Sequence, residues 1–343
     1  MGWPVSTLLP SPTAPDRALE RALAPVRGEL AAVTRRILSA LADPVARKVV
    51  YLITAGGKRL RPAMVLLAGA AGPAPDRRAL IDAAAAVELI HTATLIHDDI
   101  IDQSQLRRSR PAFHHRWGTE RAVLMGDYLY ASAFTLLARL DTPPVVRIMA
   151  DVCRQLCRGE LREVEARYRL DLSEQEYLAI VRDKTASLIG GCCSSGAVLS
   201  GCAPGAVRRL AEFGTDFGLA FQIIDDCLDL TGDPRQLGKS IHADLDKGVL
   251  SLPVIYLTQQ LSRRERDRLF APLRSAQRAS RALDPAFVSR VALAVRAAGA
   301  IERAQERAQR FIREAQTALA GLAMNGLSAS YQGLADYAVG RRS

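Results

Sequence analysis

The chain has 343 residues, enough to bury a large core without disulfides or a structural metal. Hydrophobic residues make up 49% of it and charged residues 24%, which excludes a disordered or collagen-like chain. Aromatic residues make up only 5%, which argues against a stacking surface for single-stranded nucleic acid. The formal net charge of +10 fits nucleic acid, anionic lipid or phosphorylated small molecules, so charge does not decide among these partners.

The sequence predicts neither a membrane span nor an export signal. No apolar run of about 18 residues is free of charge, and the first residues lack the basic and apolar regions of a signal peptide. The cysteines have no CxxC or metal-ligand spacing, so we favour buried, reduced thiols over a disulfide or zinc site and expect a cytoplasmic location. These are Cys153, Cys157, Cys192, Cys193, Cys202 and Cys227.

The chain reads as helical from near its start. Residues 1–17 contain four prolines and predict a flexible lead-in, followed by one all-α domain over residues 18–343. Alternation with a period of two residues is absent from the sequence, so we expect no sheet. Clusters of Gly, Pro and Asp separate segments of helical length, which predicts a bundle of roughly a dozen helices. The clusters lie at residues 56–62, 72–76, 141–144, 201–205 and 231–238.

Two segments, Ala83–Ile96 and Leu210–Ile224, are apolar or small around most of the helix circumference, which predicts central helices. Each leads into a DDxxD cluster. Carboxylates four residues apart share a helix face and repel each other, and the helix dipole disfavours anions at this end. One such cluster could be a solvated helix end, but two favour a shared hard cation with oxygen ligands, Mg²⁺. The clusters are Asp98, Asp99 and Asp102, and Asp225, Asp226 and Asp229.

Basic residues accompany the acidic clusters. Residues 56–62 read GGKRLRP, and residues 106–111 read LRRSRP just after the first cluster. Either run by itself would fit a solvated loop or a nucleic-acid patch. Because the neighbouring aspartates would repel DNA, the alternation favours a metal–diphosphate complex, and we expect no nucleic-acid partner. Lys184 and Lys239 add isolated positive charges further on.

These motifs, together with ELIHTATLIHDDIID, GDYL, GEL, DKTASL, FQIIDDCLDLTGD and GKS, occur in an order that resembles the all-trans polyprenyl diphosphate synthases between about Gly56 and Pro253. The resemblance implies a single large helical bundle of the isoprenoid synthase type with a central active-site cavity. It implies a prenyltransferase of the EC 2.5.1 class that condenses isopentenyl diphosphate with an allylic prenyl diphosphate. Ionisation assisted by about three Mg²⁺ ions would give an allylic cation that the isopentenyl double bond attacks.

The resemblance also implies roles for individual residues. Metal ligands would be Asp98, Asp102 and Asp225, supported by Asp99, Asp226 and Asp229. The allylic diphosphate would contact Arg107, Lys184, Thr185, Gln222 and Lys239. Isopentenyl diphosphate would contact Lys58, Arg61, His91 and Arg108. Without the resemblance, His91 would be read as a core histidine. Two departures concern substrate contacts: Val249 stands where many relatives have Lys, and Glu163 where they often have Gln.

Product length is predicted from the residues before the first cluster. Ala93 and Thr94 lie about 6–7.5 Å from Asp98 along the helix axis. Relatives with short products commonly carry an aromatic plug there, whereas these side chains are small and continue into Ala83–Ala86. We therefore expect an open channel and a medium- or long-chain product, C30–C50. Alternatives are a geranylgeranyl or farnesyl diphosphate synthase, a class I terpene cyclase, or the helical subunit of a heteromeric synthase. The resemblance further implies a homodimer with at most peripheral membrane contact.

Overall fold

The computed structural model describes residues 14–54, 56–108, 110–231, 243–273 and 283–341. The amino-terminal half contains α1 Ala14–Leu23, α2 Arg27–Ala40, α3 Val50–Ile53, α4 Leu60–Ala70, α5 Arg77–Ile101, α6 Phe113–Trp117, α7 Thr119–Ala138 and α8 Pro143–Ala166. The second half contains α9 Glu174–Val181, α10 Ser187–Leu199, α11 Pro204–Thr231, α12 Ala243–Asp246, α13 Leu252–Gln260, α14 Arg263–Leu269, α15 Pro285–Ala297, α16 Ala300–Leu319 and α17 Ser328–Gly340. Short 3₁₀ helices span Ala24–Val26 and Pro44–Val49. The predicted all-α bundle is confirmed.

The two predicted central helices are central. In α5, residues 82–90 are all buried, and α11 buries most of residues 213–224. Helix α5 is long and apolar enough to cross a membrane by composition, but it is mostly buried among other helices and is therefore read as a core helix. Its start is fixed by Asp76, whose carboxylate accepts hydrogen bonds from the backbone N–H groups of Arg78 and Ala79.

A third buried helix, α10, was not singled out from the sequence. It consists mostly of small residues and is buried from Ser187 to Ala197. Small side chains let backbones approach closely: a Cβ on Gly196 would lie 2.1 Å from the carbonyl oxygen of Val65 in α4. Helices α5, α10 and α11 thus form the interior of the bundle, and α4, α7, α8 and α16 pack around them.

Three local features differ from the prediction. A two-stranded antiparallel ribbon, β1 Leu106–Arg107 and β2 Arg110–Pro111, follows the first acidic cluster, although we expected no strand. Helix α1 begins at Ala14, inside the range assigned to the lead-in, and residues 1–13 lie outside the described residues. The six cysteines are free, and Cys192, Cys193 and Cys227 are buried as expected, whereas Cys153 and Cys202 are half-buried and Cys157 is exposed.

Candidate active site

The carboxyl end of α5 carries the first cluster. Over residues 82–98, helix α5 is buried except for a half-buried strip of His91, Thr94, Leu95 and Asp98, and for the half-buried His97. Asp98 therefore sits at the open end of a shallow strip on a core helix. Burial raises the pKa of Asp98 to about 7, and the nearby carboxylates of Glu160 and Asp102 act in the same direction, whereas Lys184 lowers it.

Asp99 and Asp102 are held by basic side chains from distant segments. Asp99 is 1% exposed and accepts a forked pair of hydrogen bonds from the Arg107 guanidinium, one of them 3.0 Å long from Nε. The β1–β2 ribbon positions Arg107 for this contact. Asp102 accepts from Arg167 Nη2 at 2.7 Å and from Lys247 Nζ at 2.9 Å.

The second cluster lies at the carboxyl end of α11. Asp225 pairs with the guanidinium of Arg341, which directly follows α17 and also donates to the carbonyl oxygen of Phe221 at 2.7 Å. The same guanidinium lies 3.7 Å from the centroid of the Phe221 ring. The carboxyl end of the described chain therefore contacts Asp225, whose side chain stays 41% exposed.

Asp226 is buried inside a hydrogen-bond chain. Tyr177 Oη donates to one carboxylate oxygen at 2.6 Å, and Gln222 Nε2 donates to the other at 2.9 Å. Gln222 in turn accepts from Thr185 Oγ1 at 3.1 Å. Burial raises the pKa of Asp226 well above its ordinary range, and the carboxylate of Asp244 acts in the same direction. Asp226 therefore fixes the orientation of Gln222 and Thr185.

A wide turn positions Lys184 and Thr185. Residues Arg182–Ala186 form a π-helical turn between α9 and α10, a feature that often marks functional sites. Lys184 Nζ lies 2.7 Å from Glu160 Oε2 and also pairs with Glu163. Burial opposes the charge of Lys184, but these carboxylates and Asp98 outweigh it and raise the pKa of Lys184.

Two short segments connect the clusters. On the first, the backbone N–H of Asp244 lies 3.5 Å from an oxygen of Asp229 in the second cluster, while Lys247 holds Asp102 of the first. On the second, Lys184 acts on Asp98, while Thr185 joins the Asp226 network. The predicted convergence of the acidic clusters is therefore present in the fold.

The basic segment before α4 has mixed roles. Arg61 Nη1 lies 3.2 Å from His91 Nε2; burial lowers the pKa of Arg61, against the pull of carboxylates that include Asp225 and Asp98. Burial and the charge of Arg61 lower the pKa of His91 well below its ordinary value, so His91 is neutral. Lys58 is 52% exposed and pairs with Asp16 of α1 at 2.8 Å.

Arg108 and Arg59 complete this basic region. The Arg108 guanidinium lies against Gly57, where φ is +138° and a Cβ would lie 2.8 Å from Nη1, and it donates to the carbonyl oxygen of Gly56. Arg59, which was not assigned a site role, pairs with the buried Glu88 and stabilises the start of α4. Arg59, Glu88, Asp99, Arg107 and Arg108 line one small pocket.

The expected open channel beside Ala93 is not present in the described structure. Ala93 and Ala83–Ala86 are all 0% exposed, because their small side chains allow close helix packing instead of leaving space. Thr94 is half-buried and donates to the carbonyl oxygen of His91 at 2.8 Å. The accessible path from Asp98 therefore runs along Thr94 and ends near His91.

The donor set fits a hard divalent cation. Within the described ranges, no group of three or more His, Cys, Asp or Glu side chains is already arranged as a metal site. Asp98, Asp102 and Asp225 nevertheless offer oxygen ligands of the type that Mg²⁺ prefers. The last two are held by Arg167, Lys247 and Arg341, contacts that a metal would have to replace. Lys239, a predicted diphosphate contact, lies outside the described residues.

Sequence reasoning missed several of these partners. No site role was predicted for Tyr177, Glu160, Arg167, Asp244 or Arg341, although Glu160 lies in the GEL motif that contributes to the resemblance. Their roles depend on contacts between segments that are far apart in the chain. Arg341 lies in the C-terminal run LADYAVGRR, whose likeness to the family is weaker.

Replacing Asp98 by Asn should stabilise the metal-free protein more at pH 8 than at pH 5. Because the folded-state pKa of Asp98 is raised to about 7, the stability that protonated Asp98 contributes is complete below about pH 4 and is lost as the pH rises through 7. A tenfold change in proton affinity corresponds to about 1.4 kcal/mol. The effect of Asp98→Asn on the unfolding free energy should therefore differ by a few kcal/mol between pH 5 and pH 8. Urea unfolding of both proteins in EDTA, at fixed protein concentration, measures this difference. An effect of the substitution that is equal at both pH values would contradict the prediction.

Comparisons with known proteins agree with this site. The family model described as polyprenyl synthetase matches residues 43–288. Heptaprenyl diphosphate synthase component 2 of Geobacillus stearothermophilus is 37% identical over 317 residues, 92% of this chain and 96% of that protein. The short chain isoprenyl diphosphate synthase of Methanothermobacter thermautotrophicus is 40% identical over 230 residues, 66% of this chain and 70% of that protein.

A solved structure is similar over nearly the whole chain. The crystal structure of polyprenyl synthase from Caulobacter crescentus CB15, complexed with calcium and isoprenyl diphosphate, has a TM-score of 0.88 and 34% sequence identity, and the match covers 95% of this chain and 98% of that one. The extent of these matches identifies the relationship: the chain belongs to the polyprenyl synthetase family.

Proposed function

We propose that this protein is a trans-prenyltransferase that condenses isopentenyl diphosphate with an allylic prenyl diphosphate to give a C30–C50 all-trans polyprenyl diphosphate. One observation carries the proposal: residues 244–247 contact both acidic clusters, through Asp244 to Asp229 and through Lys247 to Asp102. This link supports a single site shared by the two DDxxD clusters, as a metal–diphosphate complex requires. The calcium and isoprenyl diphosphate named for the Caulobacter structure support this ligand class.

In this proposal Asp98, Asp102 and Asp225 hold about three Mg²⁺ ions, which when bound supply Lewis-acid stabilisation of the diphosphate. Arg107 and Lys184 neutralise the negative charge that develops as the allylic C–O bond breaks. Gln222 and Thr185, oriented by Asp226, donate polar contacts to the same diphosphate. Arg61 and Arg108 bind isopentenyl diphosphate beside the neutral His91.

The activity is tested with purified protein, isopentenyl diphosphate, an allylic primer such as farnesyl diphosphate, and Mg²⁺. We expect polyprenyl diphosphates, with the reaction abolished by EDTA. Asp225→Asn should lower kcat by roughly 10²–10³ because a carboxylate that would hold the Mg²⁺ stabilising the leaving group is lost. Asp151→Asn, at an exposed aspartate paired with Arg154, is the matched control and should leave the rate unchanged. Hydrocarbon formed without isopentenyl diphosphate would instead indicate a terpene cyclase.

Product length is tested at Thr94, the half-buried residue on the strip below Asp98. We expect Thr94→Phe to shorten the product by one or more isoprene units, since an aromatic ring would block the accessible path. Thr94→Val, which keeps the volume, should leave the length distribution unchanged. The medium- or long-chain assignment is supported by the nearly full-length match to a heptaprenyl synthase component. Wild-type products of C20 or shorter would favour the short-chain alternative.

We also propose that the protein forms a homodimer in the cytoplasm, with at most peripheral membrane contact. Exposed apolar side chains on two helices support a protein interface: Val123 and Leu124 in α7, and Leu161 and Val164 in α8. The absence of disulfides among the six cysteines supports a reducing compartment. We expect sedimentation of the purified chain to give a dimer. A monomer that becomes active only with a second component would favour a heteromeric synthase, as the name of the Geobacillus relative suggests.

A further inference from the structure

Asp102 is held by two basic side chains that the motifs of the acidic clusters do not include. Arg167 directly follows α8, and Lys247 follows α12. Their contacts with the two oxygens of Asp102 are 2.7 and 2.9 Å long, and all three side chains are mostly shielded, at 20%, 27% and 14% exposure. Two cations therefore share the carboxylate of Asp102.

The backbone fixes these two cations relative to each other. The N–H of Tyr168 donates to the carbonyl oxygen of Gly248 at 2.7 Å. Gly248 has a φ of +75°, and a Cβ there would lie 2.6 Å from the Tyr168 ring. The residue after Arg167 is thus locked against the residue after Lys247. Because the segments are joined in this way, Arg167 and Lys247 reach Asp102 as a unit.

Arg167 also has an unused donor. Its Nε is buried and has no hydrogen-bond partner among the described residues, although Nη2 contacts Asp102. A buried donor without a partner is energetically costly. A guanidinium edge of this kind matches the two oxygens of a phosphate group. The arrangement therefore points to an anionic ligand that the protein by itself does not supply.

We propose that Arg167 and Lys247 bind the diphosphate of the allylic substrate beside Asp102. The inference rests on the proposed function, in which Asp102 binds Mg²⁺ in place of these two side chains. A phosphate bound beside Asp102 would then lie within reach of both Arg167 and Lys247, which already contact that carboxylate. The phosphate then takes the place of the carboxylate as their partner. Lys247 also supplies a charge two residues before Val249, where many relatives have Lys.

The test uses full-length protein, with inorganic pyrophosphate and Mg²⁺ as the probe in calorimetry. Loss of one charge-assisted contact of this kind is expected to weaken pyrophosphate binding roughly ten- to hundredfold in Lys247→Met and in Arg167→Gln. Lys247→Arg should restore most of the affinity. Arg154→Ala, an exposed arginine in the same helix α8, is the control and should bind like the wild type. Thermal unfolding of each variant checks that it folds.

Steady-state kinetics supply the second measurement. We expect both variants to raise KM for the allylic substrate and to leave KM for isopentenyl diphosphate unchanged. If Arg167 and Lys247 only neutralise Asp102, their loss will lower the Mg²⁺ concentration needed for activity and leave the affinity for pyrophosphate unchanged. That result would overturn the inference. A wild-type protein that binds pyrophosphate but forms no prenyl product would refute the proposed function instead, and the binding series would still decide the role of the two cations.

Discussion

Repulsion between carboxylates at the inner ends of two core helices is the constraint on which the rest of the site depends. Ionised groups in such a place are costly unless they are paired. The metal-free protein meets this requirement with basic side chains from elsewhere in the chain: Arg107 on Asp99, Arg167 and Lys247 on Asp102, and Arg341 on Asp225. Each pair also ties a surface segment to the core. The ion pairs that neutralise the aspartates of the site are therefore also the contacts that hold the surrounding segments in place.

The sequence predicted the helical class and the two central helices, because periodicity and composition within one helix determine them. The shared site of the acidic clusters was expected on different grounds, from carboxylate repulsion that a common cation would relieve. The sequence did not predict the β1–β2 ribbon or the π-helical turn at Arg182–Ala186, since neither has a periodic signal. Partners such as Arg341 and Lys247 were beyond sequence reasoning because they meet aspartates more than a hundred residues away.

The small residues of α5 show a second limit of sequence reasoning. A run of alanines is compatible with an open channel and with close helix packing, and the two differ only in what the neighbouring helices do. Here Ala83–Ala86 and Ala93 are fully buried, and glycines in α10 bring other helices into similarly close contact. Between residues 82 and 96 of α5 only His91, Thr94 and Leu95 are partly exposed, so a long product that follows this helix requires the packing below His91 to open as the chain grows.

The π-helical turn at Arg182–Ala186 links the two acidic clusters through neighbouring side chains. The wide turn places consecutive side chains toward different partners: Lys184 toward Glu160, Glu163 and the first cluster, and Thr185 toward Gln222 and the second. Glu163, at a position where relatives often have Gln, places an additional negative charge beside Lys184. Until a diphosphate arrives, the ammonium is therefore neutralised by carboxylates. In the proposed function, a phosphate would compete with Glu163 for Lys184 and with Asp102 for Lys247. Substrate binding would then be an exchange of ion pairs, in which the protein gives up internal partners for the ligand.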